Sequence, residues 1–436
     1  MKKIVLPLLF ACMVSFSFGQ TLKKATSYLN DKNLEKAKTE IDEFLAKTPT
    51  DGEGLYLKSK IYGKIADSAQ LRSLVPGDPR VIALDAFKKA VADSNNVKVK
   101  LMVMKDNYQP IFDIYAGYYE EAANAFNAAA AAQSKPDFAK AMDLFIKSNE
   151  VGQYIGENNW AKIGKVDTTL VLNIGKAALN AGKNDEALKY FSELADAKIS
   201  GVHGQEDDPS FEIPYQWLLL HYKDAKDETN MLKYAALGKE LFPKDDYFDL
   251  VLIDYYREKK DYPSLFKKYD QLVTKNPDSI HYHFNYANDI FGYLYNSDEG
   301  VVVIDKENLL KTLHSEIEKA HAINPDDVNT NWLYAQYYYN LGIETRDSAL
   351  KIRSTKPDDV KKKGELNAQA KTNFNTAIPY GEKAITQLEA GYKKEEKSKF
   401  KSIDNLMQNI YQSLEQKDKL KYYQDKYDQA DAKFVN

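Results

Sequence analysis

The sequence predicts an all-α fold, an array of about nine stacked helix pairs, on three observations. A stripe of small and apolar residues at helical spacing recurs along the chain. A second amphipathic segment precedes each copy of the stripe. Prolines close several copies at one fixed offset.

The stripe is a small or aliphatic residue, an aromatic or aliphatic one four positions later, and a small or apolar one three positions after that. In chain order it reads Ala37/Ile41/Phe44, Ala83/Phe87/Ala90, Ala141/Phe145/Ser148, Ala187/Phe191/Leu194, Leu265/Tyr269/Leu272, Leu313/Ile317/Ala320 and Ala377/Gly381/Ala384. Weaker copies are Met231/Ala235/Gly238 and Leu420/Gln424/Tyr427. Such positions share one side of a helix, so each copy is a helix with one face to bury. The small first residue lets the next helix approach. The preceding helix carries a Gly, Ala or Ser with a Tyr three residues on, as in Ala25/Tyr28, Ser59/Tyr62 and Ala335/Tyr338, and in reduced form Gly175/Ala178. Pro49, Pro243, Pro277 and Pro325 each fall twelve residues after the first stripe position, and Pro243 and Pro277 are 34 residues apart. Proline cannot continue a helix, so each marks a turn to the next pair.

In period and residue types the chain resembles the tetratricopeptide repeat family across nearly all of its mature length. Glu186-Ala-Leu-Lys-Tyr-Phe191, Glu318-Lys-Ala-His-Ala-Ile-Asn-Pro325 and Ala377-Ile-Pro-Tyr-Gly-Glu-Lys-Ala384 look like the second helix of such repeats. The resemblance implies an α-solenoid, in which no pair buries its stripe alone and the core forms by stacking. Distances between successive copies run from 34 to 64 residues, so insertions or lengthened helices are expected at 66–80, 95–107, 151–168, 199–212, 296–307 and 343–372. The stretch 199–212 is the least periodic. It is read as a linker between an N-terminal sub-array, 20–198, and a C-terminal one, 213–436. Residues 109–132 read as one long helix with an Ala-rich end. Val301–Ile304 is a candidate short strand, and Pro379 should kink a helix or mark its start.

The first residues read as an address. Met1-Lys2-Lys3 precedes an apolar stretch from Ile4 to Phe16, and Ser17 and Gly19 place small residues before a cleavage site at Gln20. The stretch falls short of the roughly 20 residues a bilayer-spanning helix needs. Residues 1–19 are therefore expected to direct export and be removed, leaving a periplasmic or secreted protein. A second reading takes Leu9-Phe10-Ala11-Cys12 as a lipobox, with Cys12 acylated and the chain held as an outer-membrane lipoprotein. Cys12 is the only cysteine, so a chain cleaved at Gln20 has neither disulfide nor thiolate chemistry.

Composition narrows the task. The 436 residues are 44% hydrophobic and 28% charged, with 60 Lys+Arg against 64 Asp+Glu. Loss of the leader removes Lys2 and Lys3 and no acid, leaving 58 against 64 and a net charge of −6. That balance argues against a nucleic-acid binder and against a polybasic membrane-surface protein. No catalytic motif, cofactor signature or metal cluster is present in the sequence. His281 and His283 are the nearest thing to a metal pair, but a spacing of two points their rings to different sides of a helix. His314 and His321 share a face with no carboxylate between them on it, and all six histidines read as surface or packing residues.

The groove carries the functional expectation. In the resembled family the first helix of each pair faces the ligand. Transferred onto repeats six to eight, the ligand positions are Tyr247, Leu250, Asp254, Arg257, His281, Phe284, Asn288, Phe291, Asn329, Trp332, Gln336, Tyr339 and Asn340. Amides pair with an extended peptide's backbone and rings pack its side chains; Phe284, Phe291 and Trp332 also fit core positions. The family's carboxylate-gripping subclass is disfavoured, because Leu250 and Phe284 stand where its first Lys belongs and Asn285 and Asn288 lack cationic partners. The expected function is a non-enzymatic scaffold of the bacterial cell envelope that recognises a protein or peptide. Glycan or nutrient capture as a lipoprotein is the alternative, motivated by 31 Tyr, 19 Phe and 3 Trp. An enzyme with carboxylates on the insertions, around His203, Asp207 and Asp208, ranks lower.

Overall fold

A computed structural model of the chain describes residues 21–161, 167–202, 208–296 and 302–434. The leader, Cys12, Gln20, His203, Asp207 and Val301 lie outside the described residues. In chain order, residues 21–30 form α1 and Leu34–Lys47 form α2. There follow α3 (Gly52–Ala66), α4 (Pro79–Ala92), α5 (Val97–Lys105), α6 (Gln109–Ala132), α7 (Lys135–Glu157), α8 (Thr168–Ala181) and α9 (Asn184–Asp196). The remainder are α10 (Glu212–Asp224), α11 (Glu228–Leu241), α12 (Tyr247–Lys259), α13 (Tyr262–Lys275), α14 (Ile280–Tyr295), α15 (Lys306–Ile323), α16 (Val328–Lys351), α17 (Pro357–Glu389), α18 (Lys397–Ser413) and α19 (Lys417–Lys433). Among the described residues the fold is all-α, a succession of paired helices, and no helix is long and apolar enough to cross a membrane.

The chain divides into two compact units, Met1–Phe248 and Asp249–Asn436. The division does not fall at 199–212. Across that segment α9 packs on α10, the Tyr215 hydroxyl donates to the Ile199 carbonyl at 2.8 Å, and the Phe191 ring meets Trp217 edge-on. In the first unit the pairs are α1–α2, α3–α4, α6–α7, α8–α9 and α10–α11, with α5 standing outside the rhythm. The second unit holds α12–α13, α14–α15, α16–α17 and α18–α19. Within each unit successive pairs pack on one another, as α2 on α3 and α7 on α8 in the first and α13 on α14 and α17 on α18 in the second.

One punctuation recurs four times. Thr48, Phe242, Asn276 and Asn324 end α2, α11, α13 and α15, each donating its N–H to the carbonyl four residues back. Each precedes a proline, which steers it out of helical torsions, to φ between −124° and −138°. Two residues beyond each proline stands Asp51, Asp245, Ser279 or Asp327, whose side chain accepts an N–H of the following helix at 2.8, 2.9, 3.4 or 2.7 Å. Within pairs the turn is a left-handed residue whose successor donates its N–H to the carbonyl five residues back, as at Lys32, Gly182, Lys226, Lys260 and Glu415.

The stripes are buried as expected from Ala37 through Ala384, but not in α19. There Tyr423, Ala430 and the following Phe434 face inward, whereas Gln424 and Tyr427 are exposed. Some small positions serve as sockets for phenylalanine. A Cβ at Gly175 would overlap the Phe191 ring of the partner helix, and one at Gly238 the Phe248 ring. Two expected insertions are helical: 95–107 holds α5, and 343–372 is taken up by the ends of a long α16 and a long α17. Pro379 sits inside α17 rather than at its start. Residues 302–304 form no strand, and Val302 and Ile304 are exposed.

Tyrosine hydroxyls join helices through carboxylates. Tyr62 donates to Asp42 (2.6 Å), Tyr56 to Asp106 (2.9 Å), Tyr115 to Asp167 (2.5 Å), Tyr234 to Asp196 (3.1 Å), Tyr269 to Asp289 (2.8 Å) and Tyr286 to Asp270 (2.8 Å). Tyr411 and Tyr423 share Glu382 at 2.9 and 3.2 Å. Burial first, and the facing carboxylate second, holds the Tyr56, Tyr62, Tyr115 and Tyr286 hydroxyls above the ordinary phenol value. A phenol whose folded value is raised stabilises fully below its unfolded value, near pH 10, and loses that contribution as pH rises through the folded value. The expected result is a cooperative alkaline unfolding above about pH 10, with tyrosinate absorbance and loss of helical circular dichroism rising together. Smooth titration of every tyrosine with helix intact would contradict the staples.

Candidate functional site

Of the residues chosen from sequence, the structure brings those on α12 and α14 together. Asp254, Arg257, His281 and Asn288 are exposed. The Arg257 guanidinium bridges the two helices, donating from Nε to Asp289 (3.2 and 3.1 Å) and from one Nη to the Tyr269 hydroxyl (2.8 Å) and Asp289 (2.9 Å), while the other Nη meets Asp254 at 2.5 Å. Against the cost of partial burial, those acids hold Arg257 further above its ordinary value. Arg257 and Asp254 are therefore engaged with the fold, which leaves His281 and Asn288 as exposed positions with no such role.

On α16 the aromatics of that set are half-buried. Trp332 and Tyr339 pack against the core built on Ala335, Phe374, Ala377 and Met407, and the Trp332 Nε1–H is buried without a partner. Tyr339 lies 5.8 Å from Phe374, centroid to centroid. Asn329, Gln336 and Asn340 are half-buried on the same helix. Phe291 is buried and Phe284 packs beside it, as core residues. Tyr247 is half-buried at the start of α12. His281 is exposed and His283 buried, as their spacing requires, and His314 and His321 both rest against Tyr334.

A better-formed concavity lies in the first unit, on α1, α3 and the start of α6. It is a cleft of about 670 Å³ lined by Leu29, Lys32, Leu34, Ser59, Lys60, Gly63, Lys64, Asp106, Gln109, Pro110 and Asp113, a size suited to a bound ligand group. Two ion pairs cross it from α3: Lys60–Asp106 at 2.8 Å and Lys64–Asp113 at 3.0 Å. The Gln109 amide steadies Asp113 at 2.7 Å. Burial works to raise the Asp106 carboxyl, but hydrogen bonds from Lys60 and Tyr56 hold it below its ordinary value, so it stays ionised at neutral pH. Beneath the α3 face of the cleft, the Ser59 hydroxyl is buried with no hydrogen-bond partner in the protein. A Cβ at Gly63 would meet nothing within 4 Å, so this face of α3 is open. Leu29, Leu34 and Pro110 give the cleft an apolar side. The arrangement offers fixed charges of both signs and an apolar wall.

Sequence reasoning missed this cleft because it carried groove positions only onto repeats six to eight. The signal was present in Ser59-Lys60-Ile61-Tyr62-Gly63-Lys64, where Lys60, Gly63 and Lys64 share one side of a helix.

The carboxylates of the 199–212 region are also placed. Asp208 caps Ser210 N at 2.9 Å, and Asp245 accepts from Tyr247 N and from Gln216, both at 2.9 Å. Glu212 is pushed above its ordinary value by burial and then by Asp245. Asp208 and Asp245 serve as capping and bridging groups.

No protein-family model matches the chain, and no curated protein matches it. Solved structures that resemble it include the human IFIT1 dimer with m7Gppp-AAAA, at 13% identity over 88% of this chain and 96% of that one, with a TM-score of 0.24. The APC/C hetero-tetramer Cut9–Hcn1 is 12% identical over 93% and 85%, with a TM-score of 0.20. A circular tandem repeat protein with novel repeat topology is 9% identical over 98% and 97%, with a TM-score of 0.19. At these scores the chains do not superpose as wholes, and nothing about ligand or partner passes from them to this chain.

Proposed function

We propose that the chain is an exported, non-catalytic scaffold of the bacterial cell envelope, and that it holds an extended peptide segment of a partner protein in the cleft of α1, α3 and α6. Export rests on the basic and apolar leader ending at Gly19. The observation that carries the binding reading is the cleft itself, about 670 Å³, with the Lys60–Asp106 and Lys64–Asp113 bridges on its wall beside the open Gly63 face. The fixed lysines and aspartates select a peptide of mixed charge, and Leu29, Leu34 and Pro110 take an apolar side chain.

Gly63 gives the clean test. A tryptophan there fills the cleft without touching the core and replaces a helix-weakening glycine. Gly63→Trp is expected to keep the melting temperature while cutting capture of the partner from envelope extract by about tenfold or more. Asp254→Ala/Asn288→Ala, on α12 and α14, is expected to leave capture unchanged. Loss with the second variant and not the first would move the site to the helices chosen from sequence. N-terminal sequencing of the exported protein tests the other half, with Gln20 expected and acylated Cys12 contradicting it.

A further inference from the structure

The helix α5 stands outside the pair rhythm and is held by one face only. Val99 and Val103 are buried against α3 and α4, and Val99 lies against Gly52. The Asn96 side chain caps its first turn through Val99 N at 3.1 Å. The opposite face carries Val97, Leu101 and Met104, which are 65%, 61% and 59% exposed. They sit at i, i+4 and i+7, one continuous apolar line along the helix.

Lysines bracket that line. At about 100° per residue, Lys100 lies on one side of it and Lys98 and Lys105 on the other. No acid occurs within α5. Of the nearby carboxylates, Glu53 pairs with Lys98 at 2.6 Å and Asp106 with Lys60 at 2.8 Å, while Asp93, which shares a slot with Lys100, accepts from Asn95 N at 2.9 Å. Beside the helix, Trp160 stacks on Tyr108 at 5.4 Å and both line that slot, of about 270 Å³ and walled by Val91, Val99 and Val103. Amphipathic rings of this kind settle at the boundary between headgroups and acyl chains.

We propose that this face of α5 docks on an anionic phospholipid surface, with Val97, Leu101 and Met104 entering the headgroup–acyl boundary and the lysines contacting phosphates. The charge pattern selects this occupant: cations on both flanks of an apolar line are the arrangement of interfacial helices, whose long lysine stems reach back to the headgroups. The patch is local, so it coexists with a chain whose total charge is slightly negative. Its binding is weak and reversible, because one short helix inserts only a few side chains.

Co-sedimentation of the full mature chain with vesicles tests it. Binding is expected to phosphatidylcholine vesicles containing phosphatidylglycerol, to fall at high salt, and to be slight with phosphatidylcholine alone. Leu101→Ser/Met104→Ser should lose binding while circular dichroism is unchanged, since both side chains are exposed. Lys100→Glu and Lys105→Glu should each weaken it at least about fivefold. Leu350→Ser, an exposed position on α16, should leave it intact. Equal binding to both vesicle types, no binding to either, or full binding by the double variant would overturn the proposal. Capture of an acidic peptide by α5 in place of vesicles would do the same.

Discussion

Arg80→Ala is expected to lower the stability of the first unit by about 3–4 kcal/mol. Arg80 is 5% exposed, and its guanidinium is shared between Glu121 and Asp67, the latter at 3.1 Å, with the Tyr118 ring beneath it. Gly117 leaves the space the guanidinium occupies. Arg72 grips the same Glu121 from the other side at 3.0 and 2.9 Å and also bonds the Ala66 carbonyl. Together these residues tie the long 66–80 connection onto α6. Burial acts to raise the Glu121 carboxyl, yet the two guanidiniums hold it below its ordinary value. Truncation at Arg80 removes a buried cation, strips Asp67 of its partner and opens a cavity above Gly117. Arg80→Lys should recover less than half, because an ammonium cannot fork between two carboxylates. Urea denaturation followed by the fluorescence of Trp160 and Trp217 reads the first unit. A loss under about 1 kcal/mol would show that solvent already satisfies these groups.

His283→Ala should cost the second unit about 3–5 kcal/mol. The ring is 2% exposed, with Nε2 facing the Pro277 carbonyl at 2.8 Å and Nδ1 facing Glu316 at 2.5 Å. A carbonyl only accepts, so Nε2 donates to it, and Nδ1 faces the Glu316 carboxylate. The ring thereby ties α14 to its own preceding turn and to α15, while Lys319 holds the other Glu316 oxygen at 2.6 Å. Removing the ring leaves a buried carboxylate with one partner and a bare carbonyl. The double variant His283→Phe/Glu316→Leu should cost less than His283→Ala, since replacing both members of a buried pair by apolar side chains is close to neutral. If the double variant is the less stable of the two, the pair contributes net stability beyond satisfying its own burial.

The legible part of the fold was the part with period. Ala37 to Ala384 show on the page because a stripe at helical spacing has one structural outcome, and the prolines at 49, 243, 277 and 325 because each follows such a stripe at one fixed offset, whereas Pro379, within a stripe, is carried inside α17. Where competing signals met, the reading failed. Val97-Lys-Val-Lys-Leu-Met-Val-Met-Lys105 alternates like a strand or a loop, and its helical state is decided by the Asn96 cap and by burial of Val99 and Val103, contacts with distant residues. In α19 charged residues occupy so many positions that the inward line through Tyr423 and Ala430 is indistinct without its neighbours. The same limit applies to the site. Tyrosine content suggested a stacking surface, but Tyr56, Tyr62, Tyr269 and Tyr286 are committed to aspartates far along the chain. Trp332 and Tyr339 read as groove residues by position, yet both are half-buried against a core, Tyr339 beside Phe374 of α17. The cleft at Ser59 escaped for the converse reason: a serine without a partner is visible only once its surroundings exist.

The central claim is that a partner peptide lies across α3 at Gly63. Placing a photoreactive benzophenone side chain at position 63, and in a separate protein at position 288, tests it inside intact cells. The expected result is a covalent adduct to one partner from position 63 and none from position 288. An adduct formed only from position 288 would contradict it.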